Sequence, residues 1–165
     1  MGYESSAADE PLELRIATGR TVARLGRQVE IALATADLST AQYRALVQLG
    51  EGAEASSSLA AKLAVSRPSA TAVVEGLVQR GLVDRQHSAD DRRRVSVTLT
   101  EAGRQVLATA DEEVRARLAG ILAELGPPES ALAVEGVAQW GDAMHTHQLR
   151  KRQAADNQDK PVATT

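Results

Sequence analysis

Between Ser58 and Gly81 two short stretches with helical spacing are joined by only Ala64 and Val65. The first covers about Ser58 to Leu63. The second opens at Ser66, a natural N-cap, with Pro68 in the first turn, where its missing N–H does no harm. Ala70, Val73, Val74 and Leu77 fall on one face and are expected to pack inward, and Gly81 suits the C′ position that ends the helix. Two helices joined this tightly form a helix-turn-helix. Directly after it, Leu82 to His87 and Arg94 to Leu99 read as two short strands. The second alternates, with Val95, Val97 and Leu99 on one side and Ser96 and Thr98 on the other. The polar stretch SADDR between them reads as a hairpin loop.

Longer helical patterns flank this unit. Leu14, Thr18, Val22, Leu25, Val29 and Ala32 recur at steps of three and four, which predicts a helix over Pro11 to Thr35. Ser39 can cap another over Thr40 to Leu49, punctuated by Gly50 and Gly52. A long helix is expected from Thr100-Glu101 to about Leu125, with a stripe of Leu107, Ala110, Val114, Leu118, Ile121 and Leu125. Gly126-Pro127-Pro128 breaks it. A last helix should run from about Glu129 to Leu149, with Val134, Val137, Trp140 and Met144 in a stripe. Phe is absent and aromatics total 2%, so the core must come from Leu, Val, Ile and Ala, and an Ala-rich chain favours helices.

The second helix of a helix-turn-helix enters the DNA major groove, where its N-terminal residues touch base edges. Here those residues are Arg67, Pro68, Ser69, Thr71 and Ala72. Arg67 can pair in bidentate fashion with guanine, Ser69 and Thr71 can reach bases or phosphates, and Ala72 offers an apolar contact such as a thymine methyl. A two-stranded wing carrying Arg92, Arg93 and Arg94 near its tip can lie along the neighbouring minor groove. Asp91 can hold Arg93 in a fixed pose. Arg85 has two readings, a phosphate contact or an internal pair with Asp91. Arg67, Arg80, Arg85, Arg92 and Arg93 are the expected sources of phosphate attraction. The total charge of −3 does not oppose this, because Ser56 to Arg104 holds eight Lys/Arg against five Asp/Glu, and the local field governs contact.

The stretches LSTAQYRALVQL, SSLAAKLAVSRPSATAVVEGLVQRGLVDR and HSADDRRRVSVTLTEAGR resemble the MarR family of winged helix-turn-helix regulators, closely from Leu38 to Arg104. The pattern of helix-turn-helix, GLVDR, DDRR and LTEAG carries the resemblance. It implies a mostly α fold (α+β): a winged helix-turn-helix domain with long N- and C-terminal helices forming a two-fold dimerisation region. The implied organisation is dimerisation helices at 11–37 and 101–150 and a DNA-binding domain at 38–100; the polar ends, an N-terminus at 1–10 and a tail at 151–165, read as disordered. The resemblance implies a homodimer on double-stranded DNA with a pseudo-palindromic operator, half-sites ~34–36 Å apart, and repression relieved by a small phenolic or amphipathic ligand. By position, Arg93 matches the family's minor-groove arginine and Asp91 its partner. Ser66 to Ala72 match the start of the reading helix. Ser57 and Ser58 sit where the preceding helix meets phosphate, and Tyr43 where the family places an aromatic near the ligand pocket, with a plain core role equally open. Ala72 and Gly76 depart from the long or basic residues common there. Gly76 costs a helix ~1 kcal/mol relative to Ala. It either permits a close approach or simply loosens the helix.

Other classes find little support. Without Cys there is no disulfide, thiolate nucleophile or cysteine redox switch. No nucleophile elbow or Gly-rich phosphate loop occurs, and the pairs Asp90-Asp91 and Glu112-Glu113 are adjacent and point apart, so no enzyme is expected. His145 and His147 are two apart, a poor spacing for one metal. Neither a metal nor a cofactor is expected. No apolar run approaches the ~20 residues of a membrane span, and the acidic N-terminus lacks a signal-peptide apolar region, so no membrane partner and a cytoplasmic location are expected. A winged helix can also serve as a protein-interaction module without specific DNA binding. In that alternative Arg93 has no reason to govern DNA affinity.

Overall fold

The computed structural model describes residues 12–52, 54–87 and 95–158. Their order is α1 (Leu12–Thr35), α2 (Thr40–Gly50), β1 (Glu54–Ala55), α3 (Ser56–Leu63), α4 (Arg67–Gln79), β2 (Val83–His87), β3 (Val95–Leu99), α5 (Glu101–Leu122) and α6 (Pro127–Gln158). The architecture is mostly helical with one small antiparallel sheet in the order β1-β3-β2. The β2–β3 hairpin has Arg85 opposite Val97 and His87 opposite Val95. The two-residue β1 adds a short edge, Glu54 to Val97 and Ala55 to Ser96. It is too brief to leave any alternation in the sequence.

The chain divides into two compact units, one through Leu118 and one from Ala119. The first is built on an aliphatic core. Leu33, Leu46, Leu59, Leu77, Val83 and Val97 are fully buried, and they come from α1, α2, α3, α4, β2 and β3. This core extends past residues 38 and 100. Ala32 and Leu33 enter it from the end of α1, and Ala110 from α5. Earlier in α1, Ile16 and Val22 are exposed, and the described α1 side chains that reach this core, among them Val29 and Leu33, belong to its last turns.

Helix ends are set by local chemistry. Ser39 and Gln42 form a reciprocal capping box at α2. Ser66 caps α4 by accepting from the Ser69 N–H, with proline in the first turn. Three C-termini close alike. The pairs Asp37–Leu38, Ala64–Val65 and Gly81–Leu82 each donate two N–H groups back to the preceding helix, to Ala34 and Leu33, to Ala61 and Ala60, and to Val78 and Leu77. Each closure needs a left-handed residue, with φ of 52° at Asp37, 54° at Ala64 and 66° at Gly81. Only the last is glycine. Ala64 is exposed and carries the steric cost of an L-residue in that region. Ala64→Gly should therefore stabilise the protein by about 1 kcal/mol, read as a higher urea midpoint at unchanged m-value.

The second unit comprises the end of α5, the Gly126 break and α6. Among its described side chains none is fully buried. Leu132, Val134, Val137, Trp140 and Met144 are all more than half exposed. An open apolar groove here is lined by Leu122, Leu125, Pro127, Ala131 and Val134. α6 continues to Gln158, which corrects the reading of 151–165 as a disordered tail over 151–158. Its residues Lys151 to Ala155 are good helix formers, and propensity prevails over polarity there. The ends read as disordered at 1–10 and 159–165 lie outside the described residues.

Candidate nucleic-acid interface

α3 and α4 meet at the tight Ala64–Val65 turn, and Arg44 of α2 secures it by donating from Nη2 to the Leu63 carbonyl at 2.8 Å. The buried face of α4 is Ala70, Val74 and Leu77, with Val73 half-buried. The opposite face is open. Arg67, Pro68, Ser69, Thr71 and Ala72 are all exposed, as are Glu75 and Gln79. The inward and outward assignments follow from one fact: residues three and four apart share a helix face. The Ser66 and Ser69 hydroxyls lie 2.7 Å apart, so Ser69 is partly committed to the cap. Arg67 and Thr71 remain the long or polar groups on the outward N-terminal turn.

Ser57 and Ser58 lie in the first turn of α3, and Ser58 is half-buried. Arg85 is exposed on β2. Asp91, Arg92, Arg93 and Arg94 lie outside the described residues, between two strands whose register is fixed by five residue pairs. Arg80, one of the expected sources of phosphate attraction, has a partner within the fold. Its Nη1 donates to the Asp37 carbonyl at 2.6 Å, and Nη2 sits 3.5 Å from the Asp37 carboxylate. A partner 43 positions away left no mark in the sequence pattern. Gly76 is half-buried, and a Cβ there would sit 3.5 Å from Gln42 Nε2, an ordinary contact. Among the described residues no close approach requires glycine at this position.

Tyr43 is half-buried at the edge of the core, and its hydroxyl donates to Asp111 Oδ1 at 2.7 Å, linking α2 to α5. Burial of the ring, then the hydrogen bond and the negative charge of Asp111, push its pKa up to about 12. The phenol is therefore held neutral as a donor. Sequence spacing gives no sign of Asp111, which lies 68 residues away. His145 and His147 are exposed on α6, and no cluster of potential metal ligands occurs among the described residues. No described helix is long and apolar enough to cross a membrane.

The family model described as MarR family matches residues 36–94, from just after α1 to just before β3. The chain is similar to an uncharacterized HTH-type transcriptional regulator, Mb0904 of Mycobacterium bovis. They are 35% identical over 109 residues, 66% of this chain and 76% of the relative. Across the curated relatives compared, the matched part spans between 63% and 80% of the relative's own length. Among solved structures, the transcriptional repressor CouR bound to a 23-mer DNA duplex aligns at 27% identity and a TM-score of 0.66, covering 86% of this chain and 99% of that one. NadR in complex with 4-hydroxyphenylacetate aligns at 26% identity and a TM-score of 0.58, covering 85% and 96%. The helix-turn-helix with its hairpin, the family match across it and a relative this similar agree, and the chain belongs to the MarR family of transcriptional regulators.

Proposed function

We propose that this regulator acts as a homodimer that seats two copies of α4 in successive major grooves of a pseudo-palindromic duplex and represses transcription by occupying a promoter. It is not an enzyme, and it works in the cytoplasm. The observation that carries the reading is the outward face of α4, where Arg67, Pro68, Ser69, Thr71 and Ala72 are exposed while Ala70, Val74 and Leu77 are buried. A helix held so, with its N-terminal turn open, suits base-edge contact. CouR, solved on duplex DNA, supports it. Ser57 and Ser58 would meet phosphate at the start of α3, and Arg85 phosphate along β2. Arg92, Arg93 and Arg94 would reach the minor groove, with Asp91 holding Arg93.

Dimerisation is supported by the second unit, where Leu132, Val134, Val137, Trp140 and Met144 are all more than half exposed. Exposed apolar faces of this extent mark contact surfaces, and closed two-fold dimers are the commonest oligomer. Control by a small phenolic or amphipathic ligand near Tyr43 is supported by NadR with its bound 4-hydroxyphenylacetate. Such a ligand would act by favouring a dimer with the wrong spacing between its reading helices.

Selection from a random duplex pool with purified protein, then salt-titrated anisotropy on the winner, tests the reading. An enriched pseudo-palindrome bound by one dimer, with log K falling steeply against log salt, is the expected result. No enrichment at low salt would remove it. On the selected duplex, Arg93→Ala should weaken binding at least about tenfold, ~1.4 kcal/mol, with the dimer still folded. Unchanged affinity would reject the wing contact.

A further inference from the structure

The exposed reading face belongs to the N-terminal half of α4, but its C-terminal end is tied to another part of the fold. Arg80 is the C-cap of α4, and its side chain is only 31% exposed. The guanidinium reaches the junction between α1 and α2, where it donates to the Asp37 carbonyl at 2.6 Å. Asp37 is the left-handed residue that closes α1, and its own N–H is already used in that closure. The Asp37 carboxylate is 96% exposed and 3.5 Å from Nη2, so solvent weakens the ionic part. The main-chain hydrogen bond carries the contact. One turn before Arg80, Gly76 lies beside Gln42, the residue that completes the α2 capping box. The C-terminal half of α4 thus rests on the start of α2, and Arg80 fastens its end.

We propose that Arg80 is a positioning residue for DNA recognition: it fixes the pitch of α4 by tying its C-terminus to the α1–α2 junction, and it does not bind phosphate itself. This rests on the DNA-binding reading above. The lever is geometric. A 13-residue helix is about 20 Å long, so a swing of about 10° about its C-terminal end moves the N-terminal turn by about 3 Å, the length of a hydrogen bond. In a dimer two such helices must match two half-sites at once. Loss of the tie therefore degrades specific binding and leaves charge-driven binding to any duplex intact.

Arg80→Met tests this, because it keeps much of the aliphatic stem and removes both the donors and the charge. Anisotropy is measured against salt on the selected duplex and on an unrelated duplex of equal length, with melting temperature as a check on folding. The expected result is about fivefold weaker binding to the selected duplex, with the unrelated duplex and the salt slope unchanged. Asp37→Asn, which keeps the carbonyl and tolerates the left-handed backbone, should bind as the wild type does. Equal losses on both duplexes, with a slope flatter by about 1.8 per dimer, would make Arg80 a phosphate contact and overturn the proposal. Unchanged specific binding by Arg80→Met would overturn it too, as would a loss of the same size in Asp37→Asn. Failure of the wild type to bind any duplex would reject the DNA-binding reading, and this inference with it.

Discussion

Gly103→Ala should destabilise the protein by at least about 3 kcal/mol, or prevent folding. A Cβ at this position would lie 2.0 Å from the Leu82 carbonyl oxygen and 3.0 Å from its carbon. Both obstacles are backbone, so no side chain can rotate away. Neither partner is free to move. Leu82 is buried and precedes the fully buried Val83 of β2, and its carbonyl accepts from the Thr100 N–H at 3.1 Å. Thr100 in turn fixes the start of α5: its hydroxyl accepts from the Gly103 N–H at 3.0 Å and donates to the Gly81 carbonyl at 2.8 Å. The added methyl must therefore separate the first turn of α5 from the end of α4 and the base of the hairpin. Urea unfolding followed by circular dichroism measures the loss. A midpoint near that of the wild type would mean this packing is not the one in solution.

Leu77→Ala should cost about 3 kcal/mol, within the 2–5 kcal/mol usual for a buried leucine cut to alanine. Leu77 is 0% exposed and belongs to the same buried cluster as Leu33, Leu46, Leu59 and Val83. Its removal leaves a cavity where α4 meets the other helices, and the short α3–α4 pair has little slack to collapse into it. Arg67 and Thr71 sit on the other face of α4. DNA affinity of the protein that remains folded should therefore change far less than stability does. Measuring the midpoint and the affinity well below the melting temperature separates the two. A loss below about 1 kcal/mol would show that the site repacks.

Much of the fold was legible because local rules and tertiary packing agree. Apolar residues at steps of three and four gave α1 and α4, and the Ser39 cap with Gly50 and Gly52 gave α2, each to within a residue or two. The Ser39 and Ser66 caps formed as read, and Gly81 took its left-handed turn. The alternation Val95, Val97, Leu99 gave β3. The exposed set on α4 followed directly from helical period. The stretch from Lys151 is polar and reads as disordered, yet its residues favour helix and α6 continues through it to Gln158.

What the sequence determined by itself is what a residue's neighbours within about four positions control: the helical or extended character of the longer segments, the capped ends at Ser39, Ser66 and Gly81, and which face of α4 turns outward. Those choices rest on backbone geometry, capping bonds and apolar period, all local. The tertiary structure alone decided the contacts between distant positions. It brought the Arg80 guanidinium to the Asp37 carbonyl, the Tyr43 phenol to Asp111, and the Gly103 backbone against Leu82. It also paired the two residues of β1 with β3. Such contacts depend on how whole elements pack, and a single side chain's type does not reveal which distant backbone atom it will meet.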